Sequence, residues 1–318
     1  MGDRLGRLRS KPVAVAAVGA AVLAFSGVGA LGAYRYARGY WLYRGFPPPA
    51  DPAFVTARGR TERITVRSAA LGGRPQPVYV YLPPGYDANP RARYPVLYLL
   101  HGFPGRPTAF LLTVRAGVVE DVLVAKHFAR PMILVMPFGS TGTFTDKEWA
   151  NGLGGGEGWE TFVARDLVRA IDDRYRTAAD ASHRALAGLS EGGYGALNIG
   201  LHHPEEFHVL ESWSGYERAE DLRSIFGRGG RLLARNSPLL ELRRAAPALR
   251  RQRTFVWFYT GATEPSWLRR ENAAFAAALA RQRIPHRFLI FRGGHTWSVW
   301  RAKAWLAYTV ASRHLGHA

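Results

Sequence analysis

Gly188-Leu189-Ser190-Glu191-Gly192 sets a serine between glycines at the end of a short apolar run, and Gly193 follows directly. A sharp strand-to-helix turn needs small residues on both sides of a serine held in a strained backbone with its hydroxyl exposed. The hydroxyl becomes a good nucleophile only when a base takes its proton. The base in turn needs a carboxylate to fix its tautomer and to stabilise the cation that forms. The pattern therefore predicts Ser190 as a nucleophile, with its base and acid further along the chain. Four histidines lie late enough: His286, His295, His314 and His317. His286 opens the last strand and falls at the wrong edge of a sheet, and His314 and His317 belong to the C-terminal tail. His295 follows Gly293-Gly294, which let a loop curl toward a serine, so His295 is the expected base. The loop Gly261-Ala262-Thr263-Glu264-Pro265 has a single carboxylate, Glu264, the expected acid, with Glu271 and Asp221 as rivals. Attack on an acyl carbon also needs N–H donors for the developing oxyanion. One is expected from Glu191, the residue after the nucleophile. The other is expected from His101-Gly102-Phe103-Pro104-Gly105, where Pro104 has no N–H, leaving Gly102 or, preferred here, Phe103. His101 is expected to be structural.

The elements that must position these groups alternate. Runs rich in Val, Ile, Tyr and Phe predict strands at 63–67, 77–82, 95–100, 132–136, 184–189, 209–213, 254–260 and 287–291. Helical periodicity is read at 161–175, 192–201, 266–283 and 298–314. The first strands alternate apolar and polar residues, as an antiparallel edge does. The later ones are continuously apolar and separated by helices, which implies a parallel sheet covered on both faces. The expected fold class is α/β, with one catalytic domain at 57–318.

Ahead of it, residues 12–34 run for 23 positions without a charge, long enough to span a hydrocarbon core of about 30 Å. Four basic residues precede the run, so 1–11 reads as a basic N-terminal segment and 12–34 as a transmembrane anchor. A signal segment cleaved near Val28-Gly29-Ala30 is the alternative. Residues 35–56, aromatic-basic and then Pro47-Pro48-Pro49, read as a stalk. The expected location is the cell membrane, single-pass, with an extracytoplasmic catalytic domain, or secretion after cleavage.

Forty-three Lys and Arg against 24 Asp and Glu give a net charge of +19, but the excess is uneven. Residues 1–50 hold seven basic residues and one acid, and 223–253 hold nine arginines against Glu241. No zinc-finger or aromatic RNA-binding pattern accompanies them, so nucleic acid is not an expected partner. The 223–253 stretch is expected to be a cap-like insertion facing anionic lipid, cell-wall polymer or an acidic substrate, against the plainer reading of a solvated helical face. The absence of cysteine excludes disulfides, thiolate metal sites and a thiol nucleophile. His202-His203-Pro204-Glu205-Glu206 is readable as metal ligands but expected to be structural. Trp149, Trp159, Tyr216, Trp297 and Trp300 suit either a sugar or aryl face at the cleft or core packing.

Taken together, Leu99-Leu100-His101-Gly102, Trp159-Glu160-Thr161-Phe162, Ile171-Asp172 through Tyr175-Arg176-Thr177, Gly188–Gly193 with Tyr194-Gly195-Ala196-Leu197, His203-Pro204 with Phe207, and Gly294-His295-Thr296-Trp297 with Trp300 resemble the putative-esterase family of α/β-hydrolases over about 62–305. That family includes feruloyl and other carbohydrate esterases, S-formylglutathione hydrolase and the actinobacterial mycolyltransferases. The resemblance implies an α/β-hydrolase fold, no metal or organic cofactor, and an acyl-enzyme at Ser190. The acyl group passes to water in an esterase, or to a sugar hydroxyl in a mycolyltransferase-like enzyme. A catalytically silent, membrane-tethered binding domain is the reading from a different class. Glu264 departs from the family, which usually has Asp at that position.

Overall fold

The computed structural model describes residues 24, 26–34, 50–139, 148–152, 158–219 and 222–316. The chain divides into two compact units, 1–49 and 50–318. Of the first, residues 24 and 26–34 are helical. The expected anchor at 12–34 and stalk at 35–56 lie largely outside the described residues. Among those described, no helix is long and apolar enough to cross a membrane. The second unit begins ahead of residue 57 because Asp51 already pairs with Arg58 and Arg115.

Eight strands form one sheet: β1 (Arg60–Arg67), β2 (Pro75–Leu82), β3 (Val96–Leu100), β4 (Ile133–Pro137), β5 (Arg184–Leu189), β6 (Val209–Trp213), β7 (Phe255–Gly261) and β8 (His286–Phe291). Their spatial order is β1-β2-β4-β3-β5-β6-β7-β8. β1 and β2 pair antiparallel, as does β2 with β4, and every later pair is parallel. The physical reason follows from the side chains. In β3, Val96, Tyr98 and Leu100 enter one core while Leu97 and Leu99 enter the other, so a run apolar at every position is buried on both faces. β1 instead alternates exposed residues with buried Ile64 and Val66.

Helices cover both faces. On one lie the helical run through Trp159–Thr161, a π-helical segment Phe162–Leu167 and α2 (Val168–Arg174), together with α3 (Glu191–His202), α6 (Pro238–Arg251) and α7 (Ser266–Arg281). The other face carries a π-helical turn Phe110–Val114, α1 (Ala116–Ala125) and α8 (Trp297–His314). Between β6 and α6, two short helices, α4 (Arg223–Phe226) and α5 (Gly230–Arg235), enclose a small separate cluster of Ala150, Tyr194, Ala219, Phe226 and Leu233. Only the first half of the arginine-rich stretch is thus cap-like. α6 belongs to the layer that covers the sheet.

Candidate active site

Parallel strands in register bring their C-terminal ends to one edge: Leu100 opposite Gly188, Leu189 opposite Trp213, and Gly261 opposite Phe291. The loops leaving that edge carry the residues singled out by the sequence. Ser190 sits between β5 and α3 at φ 57° and ψ −123°, a conformation costly for any residue with a side chain. Its N–H donates to the Trp213 carbonyl at 2.9 Å, and its carbonyl accepts from Gly193 at 2.8 Å. The flanking glycines are required sterically. A Cβ on Gly192 would lie 2.0 Å from the Leu100 carbonyl oxygen, and one on Gly188 would lie 2.1 Å from that of Gly192. The turn is tight enough to expel any larger residue.

The His295 Nε2 accepts the Ser190 hydroxyl at 2.8 Å. Its Nδ1 faces Glu264 Oε1 at 3.5 Å, a long contact of the kind that tightens once substrate is bound. The two loops holding these residues are tied together: Thr263 N–H donates to the Gly293 carbonyl at 2.9 Å, and Ala262 N–H to that of Phe291 at 2.8 Å. Gly293, at φ 112°, makes the bend that turns the histidine inward. Trp300 packs edge-on beneath the His295 ring at 4.8 Å and limits its rotation. Glu264 has no exposed side-chain surface, and its Oε2 accepts the Thr260 hydroxyl at 2.8 Å. Burial pushes its carboxyl up, but interactions with His295, Ser214 and Thr260 outweigh it and hold the group below the usual carboxylate range. Glu264 is thus an anion where an imidazolium would need one.

The loop after β3 lies against the serine. A Cβ on Gly102 would stand 3.0 Å from both the Leu189 carbonyl oxygen and Ser190 Cβ, so the chain passes over Ser190 with no side chain between. Phe103 follows, half out of the protein, and Glu191 opens α3, whose N-terminal end favours negative charge. His101 is buried, and burial lowers its pKa to about 4. The neutral ring accepts the Gly139 N–H at Nε2 (3.1 Å) and donates from Nδ1 to the Gly102 carbonyl (3.0 Å). It braces the loop.

The structure thus brings together Ser190, His295, Glu264 and the segments carrying Phe103 and Glu191. The other candidates go elsewhere. Glu271 accepts the Glu217 N–H at 3.2 Å, and Asp221 lies outside the described residues. His286 opens β8 and bonds the Ile284 carbonyl, and His314 stacks on Phe255 at the opposite sheet edge. His317 is outside the described residues. His202 and His203 both bond Glu160, at 3.0 Å each, and among the described residues no three groups are arranged to hold a metal ion. Of the aromatics, Trp149 and Trp159 are core: the Trp149 indole donates to the His101 carbonyl, and Trp159 packs edge-on against Phe162. Sequence reading missed Thr260 and Ser214 beside Glu264. A hydroxyl one turn of chain before Glu264 was the only available signal, and it is a faint one.

A mostly parallel sheet, layered on both faces and carrying a strained serine, a histidine and a carboxylate at its C-terminal edge, defines an α/β-hydrolase fold. The chain belongs to the family described as "Putative esterase", whose profile matches residues 68–305. It is 37% identical over 176 residues to an endo-1,4-beta-xylanase/feruloyl esterase of Xylanibacter ruminicola, covering 53% of this chain and 24% of that one. It is 27% identical over 132 residues to the diacylglycerol acyltransferase/mycolyltransferase Ag85A of Mycobacterium leprae, covering 40% and 38%. The matches thus span well under half the length of these relatives. A solved ferulic acid esterase superposes with a TM-score of 0.71 at 26% identity, covering 81% of this chain and all of that one.

Proposed function

We propose that this chain is a serine carboxylic-ester hydrolase working through an acyl-enzyme at Ser190. The observation that carries the reading is the 2.8 Å contact between His295 Nε2 and the Ser190 hydroxyl at a strained turn, with a buried anionic carboxyl on the far side of the imidazole. Family membership and the feruloyl esterase relatives support the ester substrate.

In this reading His295 Nε2 takes the Ser190 proton as Oγ bonds to the acyl carbon, and Glu264 stabilises the imidazolium. The N–H groups of Glu191 and Phe103 hold the oxyanion. His295 returns the proton to the departing alkoxide, leaving the ester on Ser190. Water, activated by the same histidine, then releases the acid. The chemistry calls on no metal or organic cofactor. An acceptor hydroxyl in place of water would make the same machinery an acyltransferase, a second reading favoured by the similarity to a mycolyltransferase. The charge-free run at 12–34 supports a single-pass anchor with the catalytic unit outside the cytoplasm, or secretion after cleavage.

A fluorophosphonate should label the chain at Ser190. Ser190→Ala should abolish labelling and lower kcat on soluble aryl esters by roughly 10⁵-fold. A wild-type chain that neither labels nor turns over esters would favour the silent binding domain instead.

A further inference from the structure

The arginines of α6 and α7 are not explained by catalysis. The two helices lie side by side on the same face of the sheet and bury their apolar sides in the same core, Leu242 and Leu249 from α6 and Phe275 and Leu279 from α7. Their opposite sides face outward together. On α6, Arg243, Arg244, Arg250 and Arg251 are exposed along one stripe at helical spacing. On α7, Arg270 and Arg281 flank exposed Ala273, Ala274 and Ala277. Acid is scarce here. Among the described residues, Glu241 engages Arg244, while Arg243, Arg251, Arg270 and Arg281 make no ion pair.

Two large apolar side chains interrupt this cationic surface, Leu240 at 46% exposure and Trp267 at 49%. Both stand in the first turn of their helices. Trp267 comes three residues after Glu264, so the apolar end of the surface is the end nearest the catalytic loops. Apolar anchors at one end of an arginine-covered ridge suit a bilayer interface, where side chains insert between headgroups while guanidinium groups pair with phosphates. A nucleic-acid site would stack bases on a row of aromatic platforms, and among the described residues Trp267 is the one exposed large aromatic on these two helices. The charge-free run at 12–34 of the same chain independently points to lipid.

We propose that the outer face of α6 and α7 docks on an anionic phospholipid surface, with Leu240 and Trp267 inserted and the arginines on the headgroups. The proposal does not depend on the esterase reading, because none of these side chains belongs to the catalytic site.

The chain has no cysteine, so a single introduced one reports cleanly. Full-length Ala274→Cys, carrying an environment-sensitive dye, is mixed with phosphatidylcholine vesicles with and without roughly one-third phosphatidylglycerol. Arg313→Cys, exposed on α8 across the sheet, is the control. The Ala274 dye should brighten and shift blue on anionic vesicles only, reverse in high salt, and exceed the Arg313 dye severalfold. Replacing Arg243, Arg251 and Arg270 by Gln together should weaken the anionic response on the order of a hundredfold while leaving turnover of a soluble ester and the Tm unchanged. Equal responses at the two positions, equal responses on the two vesicle types, or undiminished binding by the triple variant would each overturn the proposal. So would a dye response to soluble RNA with none to anionic vesicles.

Discussion

In the proposed mechanism Glu264 is the acid, a longer side chain than the Asp that the resemblance leads one to expect there. Its carboxyl has two faces with different tasks: Oε2 is held by Thr260, and Oε1 is left to His295. One oxygen fixes the rotamer, and the other is placed to stabilise an imidazolium in the proposed mechanism. Replacing Glu264 by Gln keeps the size but removes the charge that stabilises an imidazolium. The expected result is a fall in kcat of about 10³- to 10⁴-fold on a soluble ester, with KM little changed, read by steady-state kinetics. A comparable fall in Glu271→Gln would move the acid to the rival residue. Ser190, His295 and Glu264 were legible because each sits beside glycines in a loop that follows an apolar strand. Thr260, Ser214 and the hold of His101 on Gly139 were not, because those contacts join residues that only the folded sheet edge brings together.

Among the elements, α3, which follows Ser190, is fastened at both ends. Its start is the glycine-walled turn. Its end is a buried ionic clamp: Glu160 receives His202 at Oε2 and His203 at Oε1, and His202 donates from its other nitrogen to the Arg235 carbonyl at the end of α5. These are the contacts that the His202-His203 run makes. Burial pushes Glu160 up, but the two histidines outweigh it and hold its pKa at about 2 against the ordinary 4.5. Burial likewise lowers His203, but Glu160 and Glu205 outweigh it and raise the ring above its ordinary 6.5. The stabilising contribution of Glu160 is therefore present above 4.5 and is lost as pH falls toward 2. That of His203 is present below 6.5 and is lost as pH rises through its elevated value. Glu160→Gln should cost roughly 3 kcal/mol where both contributions are present, between about pH 4.5 and 6.5, and less on either side. Denaturant midpoints of the two proteins across pH measure this directly, and a cost independent of pH would refute it. Strands 184–189 and 209–213 were read from the sequence to the residue, since a doubly buried strand is apolar at every position. The π-helical turn at Phe110–Val114 and the small cap helices carry no such period, and their existence depends on what they pack against.

At the scale of the whole second unit, stability is unequal. The two large cores on either side of the sheet hold the strands, whereas α4 and α5 rest on the small cluster of Phe226, Leu233, Ala219, Ala150 and Tyr194. Hydrogen bonds fasten the far end of this cap: the Tyr194 hydroxyl donates to the Asn236 carbonyl at 2.7 Å, and Asn198 donates to its side-chain oxygen at 3.1 Å. Both partners come from α3, so the cap is tied to the helix that follows Ser190. Tyr216, stacked on Tyr194 at 4.9 Å, joins the cap cluster to the loop that follows Ser214 beside the acid. Regions with few buried contacts open at lower free energy than the global transition. Phe226→Ala removes the largest side chain that α4 contributes to the cluster. It should speed amide exchange across 222–236 by roughly a hundredfold while exchange in β3, β5 and β6 and the unfolding midpoint stay nearly constant. KM for bulky esters should rise with it, and turnover of small ones should hold, because the strand-end geometry around Ser190 does not rest on the cap. Faster exchange spread evenly through the sheet would instead show that the cap and the sheet unfold as one unit.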